Sequence, residues 1–466
     1  MNSINSAQPA DVARLTPSSR WILVSLGLST LLPSLDTSIA NAGLPVLARA
    51  FDASFTQVQW VILTYLLSIT ALIVGVGRLG DLMGRRRLLL IGVGLFSAAS
   101  LLCGLAPNLG WLLAGRAIQG LGAAIMLALG MALVGDALPE TRRGRAMGLL
   151  GSMSALGTTL GPSLGGVLIA SVGWQAIFLI NLPLGLLNAL LVWRFLPVDV
   201  PRTSTGFDLP GTLLLALTLG CFALSITWGQ GALLLPTAVG TALFIWRQAQ
   251  AKAPLIRLQL LRSGPLSAGL GMTLLVSTVI MSTLVVGPFY LSQGLGLGPL
   301  AVGLALSAGP CVAALCGAPA GRLVDRLGAA TMTRAGLLGM ACASSVLALL
   351  PLEAGMIGYL APILLLTASY ALFQAANNSR IMGAIDAQQR GVVAGVLSLS
   401  RNLGLISGTA VMGSVFALGT GTRELITAAP TALATGLHWT FALAAGLMVL
   451  ALVVGRRLSD AHRESI

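Results

Sequence analysis

The residue whose chemistry is most unusual for its surroundings is Asp36, in the stretch LPSLDTSIANAGLP (residues 32–45). It follows the apolar run WILVSLGLST, and no Lys or Arg lies within the same stretch. An acid at the centre of a membrane span costs about 2.5–3.5 kcal/mol, so such groups are usually paired or carry protons. Arg116 and Arg401 are basic residues that likewise lie inside apolar segments.

Other kinds of chemistry lack the residues that they need. The single lysine, Lys252, is not part of a GxxxxGK[ST] phosphate-binding loop, so we expect no intrinsic ATPase. The histidines, His438 and His462, have no metal-ligand partner at helical spacing. The cysteines all fall in apolar segments, where we interpret them as packing residues: Cys103, Cys221, Cys311, Cys316 and Cys342. We therefore expect no metal, no cofactor and no enzymatic activity.

The composition identifies the solvent around these residues. The 466-residue chain is 56% hydrophobic and only 9% charged, whereas soluble domains carry about 25% charged residues. We therefore expect a polytopic protein embedded in a lipid bilayer. The net charge of +13 is spread over many short loops rather than along one stripe, so nucleic acid is not the predicted partner.

Apolar windows of about 20 residues predict fourteen membrane-spanning helices. They lie near residues 21–41, 57–77, 87–106, 111–135, 146–170, 175–196, 209–228, 232–248, 265–288, 299–320, 334–351, 356–379, 391–418 and 436–455. Residues 1–20 are polar and lack a cleavage site, which indicates a cytoplasmic tail followed by a retained helix. With both termini inside, all but four of the 27 Lys and Arg residues fall on the cytoplasmic side or in tails; the exceptions are Arg49, Arg116, Arg401 and Arg423.

Internal repeats divide the chain into two halves. GRLGDLMG (77–84) recurs as GRLVDRLG (321–328), and RGRAMGLLGSMSALG (143–157) recurs loosely as RGVVAGVLSLSRNLG (390–404). The two pairs have nearly the same separation, which indicates homologous halves. We predict a tail (1–20), a six-helix bundle (21–196), a linker with two inserted helices (197–264), a second six-helix bundle (265–455) and a cytoplasmic tail (456–466).

Five motifs along the chain resemble those of the major facilitator superfamily, in its fourteen-helix drug:proton antiporter branch. They are LDTSIANAGLP (35–45), GRLGDLMGRRR (77–87), LLAGRAIQGLGAA (112–124), ALGTTLGPSLGG (155–166) and WQAIFLINLPLG (174–185), with YLSQGLG (290–296) further along. The resemblance implies two pseudo-symmetric six-helix bundles around a central cavity. It also implies a monomeric exporter of drugs, dyes or antibiotics in the bacterial inner membrane, driven by a proton gradient.

The repeated GRLxD stretch is the predicted cytoplasmic gate. Its glycines allow a tight turn, and each Asp is expected to meet the N-terminus of a helix in the other half, near residues 391 and 144. Arg85 is expected to bond Asp136 or Glu140. In the resembling family this is a latch; the alternative is an ordinary basic loop. The gate candidates are Gly77, Asp81, Gly84, Arg85, Asp136, Gly321, Asp325 and Gly328.

The fifth helix is the predicted hinge. Glycines recur along roughly one of its faces, and a proline breaks a backbone hydrogen bond, so the helix is expected to bend and to pack closely. The residues are Gly157, Gly161, Pro162, Gly165 and Gly166. The alternative is ordinary small-residue packing.

Depth along the helices predicts a partner for Asp36. Asp36 and Arg116 both lie about five residues, or roughly 7–8 Å, below the outer ends of their helices. Burial opposes charge on the acid whereas a guanidinium favours it, so the pair is predicted to load and release a proton. A static structural ion pair is the alternative.

Arg401 is predicted to face the central cavity near the middle of the membrane. Its counterpart in the first half is Ser154. It is expected to bind a polar or anionic part of the substrate; the alternative is that it bonds backbone carbonyls or extends to the interface. The candidate substrate-binding residues are Tyr65, Gln119, Met126, Met281, Tyr290, Gln293, Tyr370, Phe373, Gln374, Asn377, Arg401 and Asn402.

Four functions compete at this point, of which a non-transporting membrane sensor on this scaffold is disfavoured by the intact GRLGD stretch and by Asp36. The leading hypothesis is proton-coupled efflux of small amphipathic compounds. A dedicated exporter of a metabolite made by the cell, including an anionic one, is the alternative. A proton-linked uptake symporter is disfavoured by the GxxxGPxxGG pattern of the fifth helix.

Overall fold

The computed structural model describes residues 17–73, 75–137, 140–197, 208–251, 254–255, 264–383, 385, 390–422, 425 and 428–463. All regular elements in these residues are helices. Thirteen helical segments among them are long and apolar enough to cross a membrane. The prediction of an all-α polytopic membrane protein is therefore confirmed.

The first half of the chain supplies six crossings. Its helices are α1 (Pro17–Ala50), α2 (Phe55–Val58), α3 (Trp60–Ile73), α4 (Val76–Met83), α5 (Arg85–Gly104), α6 (Leu109–Ala137), α7 (Glu140–Ser171), α8 (Ala176–Leu179) and α9 (Asn181–Phe195). Successive crossings run in opposite directions because short turns connect them. We call the end of the molecule where α1 begins the proximal end, and the end where α1 stops the distal end.

The inserted pair and the second half follow. The inserted helices are α10 (Leu209–Trp228) and α11 (Leu234–Gln250). The second half comprises α12 (Gly264–Phe289), α13 (Pro299–Leu327), α14 (Ala329–Ala348), α15 (Gly355–Gly383), α16 (Arg390–Ser407), α17 (Gly413–Thr420) and α18 (Pro430–Arg463). Two π-helical segments, Tyr290–Gly294 and Gly408–Met412, extend α12 and join α16 to α17.

The fourteenth predicted span, residues 334–351, corresponds to α14, which is not among the thirteen apolar crossings. This helix has 20 residues and packs against α15 and α18. Thr331, Thr333 and Arg334 lie near its proximal end, and they make it more polar than the other crossings. The helix begins at Ala329, earlier than the predicted start at residue 334, because hydropathy alone leaves out the polar first turn.

The repeated GRLxD stretches end in the same backbone turn. Gly84 follows α4 with φ of 86°, and Gly328 follows α13 with φ of 84°. Residues with side chains rarely adopt this left-handed region, which explains the glycine in both copies. The tight turn predicted from the motif is present at both positions.

Ring contacts close the distal end between the two halves. Phe55, at the start of α2, lies 4.8 Å from the ring of Phe289 and 5.6 Å from that of Phe416, measured between centroids. Its helix begins with a capping box in which Ser54 and Gln57 bond each other's backbone N–H groups. The turn after α1 therefore holds an aromatic side chain against the second half.

Hydrogen bonds join the halves in the same region. Arg49 Nη2 donates to Gln293 Oε1 at 2.8 Å, and Gln59 Nε2 donates to the Thr409 carbonyl at 3.2 Å. Deeper in the distal half, the backbone N–H of Ser163 donates to Ser307 Oγ. These hydrogen bonds and ring contacts between the two halves lie in the distal part of the molecule.

The inserted helices form a hairpin at the edge of the bundle. α10 packs against α11, α3 and α17. At the proximal end, Asp208 accepts hydrogen bonds from Gly211 N at 3.1 Å, Arg247 Nη2 at 3.0 Å and Gln248 Nε2 at 3.1 Å. Burial disfavours the charge of this carboxyl, but the three donors outweigh that effect and lower its pKa. The cluster ties the start of α10 to the end of α11.

Candidate functional site

Asp36 lies on α1 in the interior of the first half. Only 1% of its surface is exposed, and Arg116 on α6 is fully buried beside it. Arg116 Nη1 lies 2.5 Å from Asp36 Oδ2. The structure therefore brings together the two charges that depth along the helices had predicted to meet.

Neutral donors complete the environment of the carboxylate. Gln119 Nε2 and Asn181 Nδ2 each donate to Asp36 Oδ1 at 2.8 Å. Gln119 also donates to Ser100 Oγ at 2.8 Å and accepts from Arg116 Nη1 at 2.7 Å. The acid thus receives three hydrogen bonds in a site that is closed to solvent.

Arg116 is held by more than its ion pair. Its Nε donates to the Val61 carbonyl at 3.0 Å, and its guanidinium carbon lies 4.1 Å from the centre of the Tyr65 ring. Tyr65 itself donates to the Pro33 carbonyl at 3.2 Å. Buried ion pairs persist only where such further bonds satisfy the remaining donors. Arg116 Nη2 has no hydrogen-bond partner among the described residues, so its two N–H groups are unused.

The network has members that the sequence prediction missed. Asn181 begins α9 and Ser100 lies on α5, and both are fully buried. Asn181 falls in the motif WQAIFLINLPLG, but the motif alone does not identify this asparagine as a hydrogen-bond donor to Asp36. A polar amide inside an apolar helix was the available signal. Gln119, predicted as a substrate contact, belongs to this network instead.

The glycines of α7 face two different neighbours. A Cβ on Gly157, Gly161 or Gly165 would meet atoms of α1, whereas a Cβ on Gly166 would meet Pro299 and Leu300 of α13. The prediction of a single glycine face is therefore corrected, because α7 packs closely on both its own half and the other. Pro162 lies inside this helix, and its carbonyl is approached by Gly303 of α13.

A cavity lies in the proximal half, within the second bundle. Arg401 on α16, Tyr370, Phe373 and Gln374 on α15, and Thr273 on α12 are among its lining residues. Arg401 is exposed there, and Phe373 is 2% exposed. Four of the predicted substrate contacts therefore share one cavity.

The other predicted contacts lie elsewhere. Met126, Met281 and Tyr290 are buried in helix packing, and Tyr65 packs on Arg116. Asn377 donates to the Gly269 carbonyl and to Thr273 Oγ1. Gln293 lies at the distal end with Arg49, and Asn402 is half-buried next to Arg401 in the chain.

The structure describes only part of the predicted gate. Asp81 pairs with Arg85 of the same half at 3.0 Å, and Asp325 is exposed. The side chains of Asp136, Glu140 and residue 391 lie outside the described part, so the predicted bonds to them stay predictions. Gly77 and Gly321 have open space around them.

The sequence matches proteins of known family over most of its length. The model of the Major Facilitator Superfamily matches residues 26–409. A riboflavin transporter, RibZ, of Clostridioides difficile is 31% identical over 407 residues, covering 85% of this chain and 88% of that protein. A multidrug resistance protein, Stp, of Mycobacterium tuberculosis is 32% identical over 415 residues, covering 85% and 75%. Several further relatives are drug resistance or efflux proteins.

The fold agrees with this assignment. A bacterial homologue of the human lysosomal transporter Spinster superposes with a TM-score of 0.72 at 17% identity, covering 96% of this chain and 98% of that one. The match spans both bundles, as the internal repeats require. The chain therefore belongs to the Major Facilitator Superfamily of membrane transporters.

Proposed function

We propose that this protein exports small amphipathic compounds, such as drugs, dyes and antibiotics, in exchange for protons. It acts as a monomer in the bacterial inner membrane, and the proton gradient drives it without a bound cofactor. Asp36 carries the proton, and Arg116 is its counter-charge. The buried Asp36–Arg116 network is the observation that carries this proposal.

The network suits proton exchange because a proton and the guanidinium of Arg116 compete for the same carboxylate. When Asp36 is ionised, Arg116, Gln119 and Asn181 stabilise its charge. When it is protonated, the guanidinium loses its counter-ion and keeps the Val61 carbonyl and the Tyr65 ring. Each protonation state therefore favours a different arrangement of α1 relative to α6, which is what coupling requires.

Two features support alternating access with the proximal end in the cytoplasm. The halves are joined at the distal end by Phe55, Gln59 and Arg49, while the cavity lies in the proximal half. Basic residues such as Arg194 and Arg326 lie at proximal helix ends, in keeping with the positive-inside rule. Both observations support a state in which the cavity faces the cytoplasm, the state in which an exporter would load its substrate.

A dedicated metabolite exporter is the second candidate. The exposed Arg401 in the cavity and the similarity to a riboflavin transporter favour it. An uptake symporter is less favoured, because the glycine- and proline-containing α7 resembles that of exporters. Transport of cationic dyes, neutral antibiotics and organic anions by the same preparation would separate drug efflux from a dedicated exporter.

Proteoliposomes test the coupling. Purified protein is reconstituted, a pH gradient is imposed with the acidic side at the distal face, and flux of a transported compound is measured. Asp36→Asn is expected to abolish the gradient-driven flux. The matched control is Asp52→Asn, since Asp52 is an exposed acid in the turn after α1. Coupled flux in Asp36→Asn equal to that of the wild type would show that the proposal is wrong.

A further inference from the structure

We propose that Arg401 selects anionic substrates, so that the transported compounds carry a carboxylate, phosphate, sulfonate or similar acid and not a fixed positive charge. This inference rests on the proposed function in one respect: it takes the proximal cavity as the transport site. It narrows the class of substrate from amphipathic compounds in general to organic anions.

The position of Arg401 supports a ligand role. It lies eleven residues after the start of α16 at Arg390, which places it about 16 Å along the helix and well inside the bundle. Its side chain is exposed in the cavity. No acid contacts it among the described residues, where ion pairs are formed by Arg85, Arg116 and Arg247. A cation held at this depth without a counter-ion is normally part of a substrate or ion pathway.

The neighbours of Arg401 offer hydrogen bonds without adding charge. Gln374, Asn378 and Ser398 line the same cavity. None of these three side chains forms a hydrogen bond with another described part of the protein, so their polar atoms are available to a ligand. An amide or hydroxyl can donate to an anion, and the guanidinium can bind a carboxylate or phosphate through two parallel bonds.

Among the described residues that line the cavity, none is an acid that would attract a cation. Asp36, the acid inside a span of the described chain, is 1% exposed and already accepts three hydrogen bonds. A cationic compound would therefore meet the charge of Arg401 with no compensating carboxylate. The equivalent position in the first half is Ser154, whose hydroxyl lies 2.7 Å from Ser34 Oγ, so the pseudo-symmetry does not place a charge there.

Two xanthene dyes of opposite charge test this inference. Fluorescein is anionic at neutral pH and rhodamine 6G is cationic, whereas their ring systems are closely similar. Binding is measured by fluorescence anisotropy with purified protein in an uncharged detergent. The wild type is expected to bind fluorescein at least about tenfold more tightly than rhodamine 6G. Arg401→Gln is expected to weaken fluorescein binding about tenfold or more, whereas Arg401→Lys keeps part of it.

The matched control is Arg380→Gln, which removes an arginine on α15 that does not line the cavity. It is expected to leave the binding of both dyes unchanged. Equal or tighter binding of rhodamine 6G by the wild type would overturn the inference, and so would unchanged fluorescein binding in Arg401→Gln. The measurement needs no proton gradient. Charge-selective binding without gradient-driven flux in proteoliposomes would therefore refute proton coupling while leaving the role of Arg401 intact.

Discussion

The two halves of the molecule each contain an arginine inside a span, and the two arginines have opposite surroundings. Arg116 of the first half is fully buried and paired with Asp36. Arg401 of the second half is exposed in a cavity without an acidic partner. An arginine inside a span can thus be part of a buried ion pair, as Arg116 is, or be open to a ligand, as proposed for Arg401. Burial and the presence of a counter-charge distinguish the two cases.

In contrast to the two arginines, the close contacts between helices are the same in both halves. Gly161 of α7 lies against α1, and Gly408, at the equivalent position after α16, lies against α12. Gly157 and Gly404 form a second such pair. The repeat therefore preserves the close contacts between helices, whereas the charged groups differ.

The largest effect is expected from Arg116→Gln. It leaves the Asp36 carboxylate buried without a counter-charge, which typically lowers the free energy of unfolding by about 3–5 kcal/mol. Denaturant unfolding in mixed micelles measures this loss. The double variant Asp36→Asn with Arg116→Gln should recover much of the stability, because no unpaired charge remains. A single variant as stable as the wild type would show that the pair does not stabilise the first half.

The glycine contacts should fail alike in both halves. A Cβ at Gly408 would lie 2.5 Å from the Thr278 carbonyl, and one at Gly161 would meet Ser38. Gly161→Ala and Gly408→Ala are each expected to lower the free energy of unfolding by about 1–3 kcal/mol. Gly151→Ala is the control, since nothing lies within 4 Å of the added Cβ. A loss of stability in only one of the two variants would show that the glycine contacts of the two halves are not equivalent.

A smaller effect is expected at the inserted hairpin. The pKa of Asp208 is lowered from its ordinary value of 3.8, so its contribution to stability is complete above that pH and is lost as the pH falls through the lower folded-state value. Asp208→Asn keeps a good N-cap residue and removes the charge. We expect a loss of about 1 kcal/mol or less at pH 7.

The pH dependence provides the control for this prediction. The difference in melting temperature between wild type and Asp208→Asn should be constant between about pH 5 and 8, and it should shrink below about pH 4. A difference that persisted at low pH would assign the effect to packing and not to the charge of Asp208.

The smallest effect is expected from Arg401→Gln. An exposed arginine without an ion pair contributes little to folding, so the free energy of unfolding should change by less than about 0.5 kcal/mol. The same denaturant titration that is used for Arg116→Gln gives a direct comparison. A loss comparable to that of Arg116→Gln would mean that Arg401 is a structural residue.

The sequence predicted the membrane fold well because a crossing must satisfy its backbone polar groups internally, as a long and mostly apolar helix does. It also predicted the meeting of Asp36 with Arg116, since helical rise fixes depth. It predicted only some of the residues that line the cavity: Tyr370, Phe373, Gln374 and Arg401 do. Tyr65, Met126 and Met281 were placed there but are buried. In a bundle surrounded by lipid, apolar residues occur on every helix face, so periodicity does not separate the core from the cavity.

Polar contacts between residues far apart in the chain could not be predicted from the sequence either. Asn181 bonds Asp36 and Gln59 bonds the Thr409 carbonyl, and each pair is separated by more than a hundred residues in the chain. Such contacts depend on how the crossings are arranged around one another, which a single sequence does not specify. Arg401 lines a cavity whose described lining residues all belong to the second half, so its predicted place in a central cavity between the halves stays a prediction.

The helix α1 carries one further consequence. It bears Asp36, it packs against α6, α7 and α9 of its own half, and it also contacts α12 of the other half. The site of the proposed chemical event and part of the contact surface between the two halves therefore belong to the same helix. If a proton shifts α1 by a fraction of an ångström, the second half receives that displacement directly, without a chain of intermediate side chains. The proposed coupling between the proton site and the second half would therefore act across a single helix.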